Sequence, residues 1–171
     1  MHLVLLGVNH RTAPVEVRER LDFQTQGLDR ALRGLDELSP IAEAVVLSTC
    51  NRVELYAAGE DQTRAREALV EFVSRFHSLS PDLVLPHVYD AADTGVARHL
   101  FRVAAGLDSL VVGEPQILGQ VKDAHTAAAT ERTAGPLLNR LFHSSFAVGK
   151  RVRTETGIGS GAVSIGFAAV A

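Results

Sequence analysis

The sequence has one cysteine, no tryptophan, one methionine, two tyrosines, and only two lysines among its 17 basic residues. A single cysteine excludes an internal disulfide and a Cys-rich zinc site, and it fits a reducing compartment such as the cytoplasm, where thiols stay free. The seven histidines, His2, His10, His77, His87, His99, His125 and His143, include no i, i+4 pair of the sort that grips a metal from one helix face, so no metal is expected. No apolar run approaches the thickness of a bilayer, so no membrane partner is expected. The opening run at residues 1–8 is short and lacks a basic start, which reads as a buried strand rather than a signal peptide. Positive charge is also scarce: a formal net charge of -3 excludes nonspecific adhesion to nucleic acid through one global field, although local RNA contact stays open. The cations present are mostly arginines, whose fork suits bidentate binding of carboxylate or phosphate.

What is present describes an ordinary globular protein. With 171 residues, 46% hydrophobic and 22% charged, the chain can fill one core, or one core plus an appendage. Residues 3–8 form a continuous apolar run, followed by a polar turn in which Thr12 is a candidate cap and Pro14 a helix start. A helix is predicted over residues 26–38, stopping near Pro40. Residues 44–47 read as a buried strand, and residues 53–57 alternate like a half-exposed one, with 49–52 as the short connection. Ala65, Ala68, Leu69, Phe72, Val73 and Phe76 fall at helical spacing, and a short strand is predicted at 87–89. The order strand, helices, strand, strand, helix, strand fits an α+β, ferredoxin-like split βαβ sandwich closing near residue 90. The remainder reads as additional helices at 93–106, 115–130 and 136–153, the last carrying a packing stripe of Leu138, Leu141, Phe142, Ser145, Val148 and Val152.

Cys50 lies between the two central strand candidates, with Thr49, Asn51 and Arg52 around it. A lone cysteine is more often a core filler than a reagent. These polar neighbours make poor core partners, however, and a thiol on a loop beside a guanidinium is placed to act as a nucleophile. His99 falls in a stripe with Val96, Leu100, Val103 and Leu107, where a satisfied core histidine is the ordinary reading and a Cys–His pairing the sharper one. Further on, Glu114 precedes Pro115 at a helix start, and Gln116 and Gln120 lie one turn apart. That set could read a zwitterionic ligand, or it could be a solvated amide face. The glycines of residues 156–166 do not fit G-x-G-x-x-G and follow a helix rather than a strand, so they read as a flexible linker. The apolar residues 167–171 that follow look cut off in mid-element.

Taken in order, GVNHRTAP at 7–14, STCNRVE at 48–54, the stretch from GLDS at 106–109 to Gln120, KRVRTET at 150–156 and GAVS at 161–164 resemble glutamyl-tRNA reductase. Several long motifs in register over nearly the whole chain are far more specific than any one of them. The resemblance implies reduction of glutamate esterified to its transfer RNA, giving glutamate-1-semialdehyde with NADPH, the first step of tetrapyrrole synthesis. It makes Cys50 the nucleophile that forms a thioester and His99 its assistant. It places Thr49, Asn51, Arg52, Ser109, Glu114, Pro115, Gln116 and Gln120 at substrate-recognition positions, with Arg52 for the side-chain carboxylate and Glu114 for the ammonium. It further implies glutamyl-tRNA as partner, a homodimer formed through a C-terminal domain, and a next-step aminomutase as a candidate partner. By that resemblance residues 1–150 form a catalytic domain with the start of a spine helix, and 151–171 a linker and the stub of an absent NADPH-binding domain. No cofactor-binding residue falls in this chain. A thiol-dependent esterase or acyltransferase, and a non-catalytic tRNA-binding module, are the competing readings.

Overall fold

The computed structural model describes residues 1–159. Its four strands are β1 (His2–Asn9), β2 (Glu43–Ser48), β3 (Arg52–Gly59) and β4 (Tyr89–Ala92). They lie in the order β2-β3-β1-β4, every neighbouring pair antiparallel. Between β1 and β2 run α1 (Val15–Arg20), α2 (Phe23–Gln26) and α3 (Leu28–Asp36); between β3 and β4 run α4 (Gln62–Phe76) and α5 (Pro81–Val84). This is the ferredoxin-like split βαβ arrangement read from the sequence. Three further helices, α6 (Thr94–Ala104), α7 (Gln116–Thr130) and α8 (Pro136–Glu155), complete the described chain apart from two 3-10 turns, at Leu85–His87 and Gly157–Gly159.

Side chains alternate along a strand, so one strand addresses two layers. Leu6, Val8, Val53 and Leu55 meet Leu21, Val73, Val84 and Val88 on one face, where α4 packs. On the other face Tyr56 meets Phe142 of α8 edge-on at 5.3 Å between ring centroids. Here α6 reaches β1, α7 reaches β2, and α8 spans β2 and β3. The helices after residue 90 therefore form the second cover of the same sheet, and no boundary falls there. Glu43 of β2 ties α8 down by accepting from the backbone N–H groups of Leu137 (3.1 Å) and Leu138 (2.7 Å), two donors that a helix start leaves free.

Several expectations change. The alternation in β3 is real, but all eight of its residues are buried, because α6 to α8 cover the polar side as fully as α4 covers the apolar one. The helix expected over 26–38 is the shorter α3, Leu28–Asp36, and the unforeseen α2 is separated from it at Gly27, whose φ of 100° no L side chain adopts comfortably. The fourth strand is Tyr89–Ala92 rather than 87–89, since Pro86 sits in the 3-10 turn. Thr12 does not cap α1; its hydroxyl accepts from the Asn9 N–H at 3.1 Å and closes the turn after β1. Leu107 lies beyond the end of α6 and is exposed instead of continuing its stripe. Finally, α8 runs to Glu155, so residues 151–155 are helix and not linker. Residues 160–171 of the linker and stub expected over 151–171 lie outside the described residues.

Candidate active site

The connection from β2 to β3 is three residues long, and its middle residue is Cys50, which is exposed. The loop is braced from within. Thr49 Oγ1 accepts from the N–H groups of Asn51 and Arg52, both at 3.2 Å, and the Thr49 N–H donates to the Arg52 carbonyl at 2.8 Å. It is also braced from outside, because the His10 N–H donates to the Asn51 carbonyl at 3.0 Å. A groove of about 580 Å³ opens beside the thiol, lined by Thr49 and Cys50 on one side and by Val15, Arg18, Asp22 and Gln24 among others on the opposite one. That opposite wall is fixed to the end of β2, since the Ser48 hydroxyl donates to Asp22 at 2.7 Å and accepts from the Phe23 N–H at 3.1 Å.

Behind the loop the chain turns inward. Arg52, Glu54 and Tyr56 occupy alternate positions of β3 and share the face toward α6 to α8. Arg52 is 1% exposed, and its fork is engaged: one terminal nitrogen lies 3.0 Å from Glu54 Oε1 and 3.4 Å from Asp108 Oδ2, and the other donates to the Asp108 carbonyl at 2.6 Å. Glu54 is fully buried. Besides Arg52 it receives the hydroxyls of Tyr56 on Oε2 and Tyr89 on Oε1, each at 2.5 Å, and His99 Nε2 lies 2.7 Å from Oε1. Gly7, opposite Glu54 on β1, leaves room for the Tyr89 ring; a Cβ there would stand 2.7 Å from Tyr89 Cζ.

The electrostatics follow from this crowding. Burial alone would raise the Glu54 carboxyl, but the His99 contact and the Arg52 charge outweigh it and bring its pKa from 4.5 down to about 2. Burial likewise opposes the Arg52 charge, yet Glu54 foremost among its neighbours holds it above the ordinary arginine value. Burial, and then the facing Glu54 charge, push Tyr56 and Tyr89 above the ordinary phenol range, so both remain donors. His10 is pushed down, by burial first and then by the charges of Arg11 and Arg52. Its Nδ1 is buried without a partner among the described residues, as is Ser109 Oγ.

Hydrogen bonds thus join Thr49, Asn51, Arg52 and His99 in one network, with Glu54 between Arg52 and His99 and Cys50 carried on the loop between Thr49 and Asn51, and Asp108 brings its neighbour Ser109 beside Arg52. The described hydrogen bonds do not join Glu114, Pro115, Gln116 or Gln120 to that network. Glu114 is buried and held by its backbone carbonyl, which accepts from Arg153 of α8 at 2.5 Å. Pro115 caps α7, Gln116 is exposed and Gln120 half-buried. Sequence reasoning missed Glu54, Tyr56, Tyr89, Asp108 and His10. The polar residues at every second position of β3 were the available signal.

The profile described as glutamyl-tRNAGlu reductase, N-terminal domain, matches residues 6–156. The chain belongs to the glutamyl-tRNA reductase family. It is 50% identical over 170 residues to glutamyl-tRNA reductase of Geobacter sulfurreducens and 48% identical to that of Geobacter metallireducens, covering 99% of this chain and 39% of each relative. The solved structure of glutamyl-tRNA reductase from Methanopyrus kandleri superposes with a TM-score of 0.78 at 40% identity, covering 98% of this chain and 38% of that one. The chain therefore spans about two fifths of the length of these relatives, and its residues correspond to their N-terminal domain. No helix among the described residues is long and apolar enough to cross a membrane.

Proposed function

We propose that this chain carries out the thioester-forming half of glutamyl-tRNA reduction, with Cys50 as nucleophile. The observation that carries the reading is the chain's sole thiol, exposed on a doubly braced loop beside a groove, in a family named for an aminoacyl ester. The Cys50 sulfur attacks the α-carbonyl carbon of glutamate esterified to RNA. A C–S bond forms, the C–O bond to the ribose breaks, and the ribose oxygen leaves with a proton. His99, fixed behind the loop, carries that proton from the thiol to the leaving oxygen.

Arg52 is the cation proposed for the substrate's side-chain carboxylate. Its fork is already occupied, so the ligand would exchange with Asp108, whose side chain is the looser partner at 3.4 Å, rather than with Glu54 at 3.0 Å. Ser109, whose buried hydroxyl has no partner among the described residues, is ready to bond a ligand. Thr49, Asn51, Glu114, Pro115, Gln116 and Gln120 complete the proposed recognition set, with Glu114 for the ammonium.

Hydride supplied by NADPH would reduce the thioester to the aldehyde. The described residues do not fit that cofactor: the glycines at Gly157–Gly159 form a 3-10 turn after helix α8, not the strand-to-helix turn of a dinucleotide site. Reduction is therefore not assigned to these residues. The isolated chain is expected to load glutamate and lose it slowly to water, behaving as an esterase. A homodimer, an encounter with a next-step aminomutase and a cytoplasmic setting are proposed for the longer enzyme. Rapid-quench mixing with glutamyl-tRNA tests the reading: RNA release should coincide with a glutamyl adduct by intact mass. Release without any adduct in the earliest quench would refute a covalent route.

A further inference from the structure

One fully buried carboxylate determines the state of the imidazole beside it. Glu54 receives the Arg52 guanidinium and two phenol hydroxyls, and no water-facing edge remains to it. An ionised carboxylate accepts and cannot donate. The 2.7 Å contact between Glu54 Oε1 and His99 Nε2 therefore requires the hydrogen to sit on Nε2. When the ring is neutral its lone pair is then on Nδ1. The Tyr89 ring, 5.4 Å from the imidazole between centroids and tilted by 47°, restricts rotation that would exchange the two nitrogens.

We propose that Glu54 is a positioning residue that holds His99 as the Nε2–H tautomer, making Nδ1 the proton-accepting atom of the site. For its chemical meaning this rests on the thioester reading above. Nδ1 takes the Cys50 proton as the C–S bond forms, and the ring is briefly an imidazolium paired with Glu54. Nδ1 then returns the proton to the ribose oxygen as the ester C–O bond breaks, so no net proton is gained or lost. Glu54 touches neither thiol nor substrate; it acts on the proton through the ring, and separately it holds Arg52.

The test is a two-bond ¹H–¹⁵N correlation spectrum of the chain labelled at histidine nitrogen, recorded at a pH where His99 is neutral. A pyrrole-like Nε2 and a pyridine-like Nδ1 are expected; the reverse pattern, or an averaged pair, overturns the proposal. In Glu54→Gln the carboxamide can turn its N–H toward Nε2, so the ring should change to the Nδ1–H tautomer. RNA release from glutamyl-tRNA should then slow by about 10²- to 10⁴-fold, the contribution of a positioned general base. A folded Glu54→Gln that keeps the Nε2–H pattern, or one that releases RNA within about threefold of the wild-type rate, overturns the proposal. Should that variant fail to fold, the wild-type spectrum decides alone. A wild-type chain that shows the Nε2–H pattern yet never forms an adduct sinks the reaction reading and leaves the tautomer assignment standing.

Discussion

Val53 and Leu55 enter an apolar layer beneath α4, whereas Arg52, Glu54 and Tyr56, each one residue away on the same strand, enter a layer of ions and hydroxyls beneath α6 to α8. Both sets are buried, so accessibility does not distinguish them. On the apolar side each fully buried aliphatic side chain contributes about 1.5–3 kcal/mol by leaving water. On the polar side the desolvation of a guanidinium and a carboxylate roughly cancels their attraction, while removal of one partner leaves the other charge stranded. The first face holds the sheet together. The second places a histidine and an arginine behind the Cys50 loop at little net stability.

The sharpest break of this comparison is at the loop that both faces support. Cys50→Ser should abolish acyl-enzyme formation while leaving the thermal midpoint unchanged, because the side chain is exposed and packs against neither layer. A retained adduct in that variant would move the nucleophile elsewhere. Next come adjacent substitutions on β3. Glu54→Ala should cost about 3–5 kcal/mol in urea denaturation by stranding Arg52, and should remove RNA release as well. Leu55→Ala should cost a comparable amount, about 2–5 kcal/mol, through a cavity, yet its folded fraction should still form the thioester. Equal loss of chemistry in both variants would erase the division of labour.

A smaller effect on stability, but a clear one on activity, is expected for Arg52→Lys. An ammonium cannot meet Glu54 and Asp108 with a planar fork, so single-turnover release should fall while about 1–3 kcal/mol of stability is lost. Unchanged turnover would reduce Arg52 to a structural cation.

Acid titration should separate the two faces in pH. His77, packed against Phe23 and Phe76 beneath the apolar layer, has its pKa lowered by burial from 6.5 to about 4. The folded state thus binds fewer protons than the unfolded chain in that window, and stability present above pH 6.5 declines as pH falls toward 4. Glu54 acts later: its depressed value means stability present above pH 4.5 and lost toward pH 2, on the order of 3 kcal/mol. His77→Phe should flatten the upper window in pH-dependent denaturation and leave the lower one intact. Persistence of the upper window in that variant would assign it to other groups.

The parts of this fold legible in the sequence were those whose signal is local. The apolar runs of β1 and β2, and the helical stripes of α4 and α8, are set by residues within a turn or two of one another. The break at Gly27 and the shift of β4 past Pro86 were missed because composition reports propensity and not the φ that packing imposes. Burial of the polar side of β3 depends on helices that begin only at Thr94, far downstream of the strand, which alternation alone cannot reveal. The site divides the same way. The exposed loop position of Cys50 was legible from its polar neighbours, whereas the burial of Glu54 was not, because its contact with His99 joins positions 45 residues apart. Arg52 was picked out for its fork, but the partners that occupy that fork were invisible for the same reason.

In the proposed reaction glutamate becomes bonded to the Cys50 sulfur. Peptide mapping by tandem mass spectrometry, on the wild-type chain quenched in acid after mixing with glutamyl-tRNA, tests it most directly. A glutamyl group is expected on the peptide containing Cys50, located at that residue and removed by hydroxylamine. Glutamate mapped to any other side chain, or an unmodified Cys50 at every quench time while charged RNA is consumed, would contradict it.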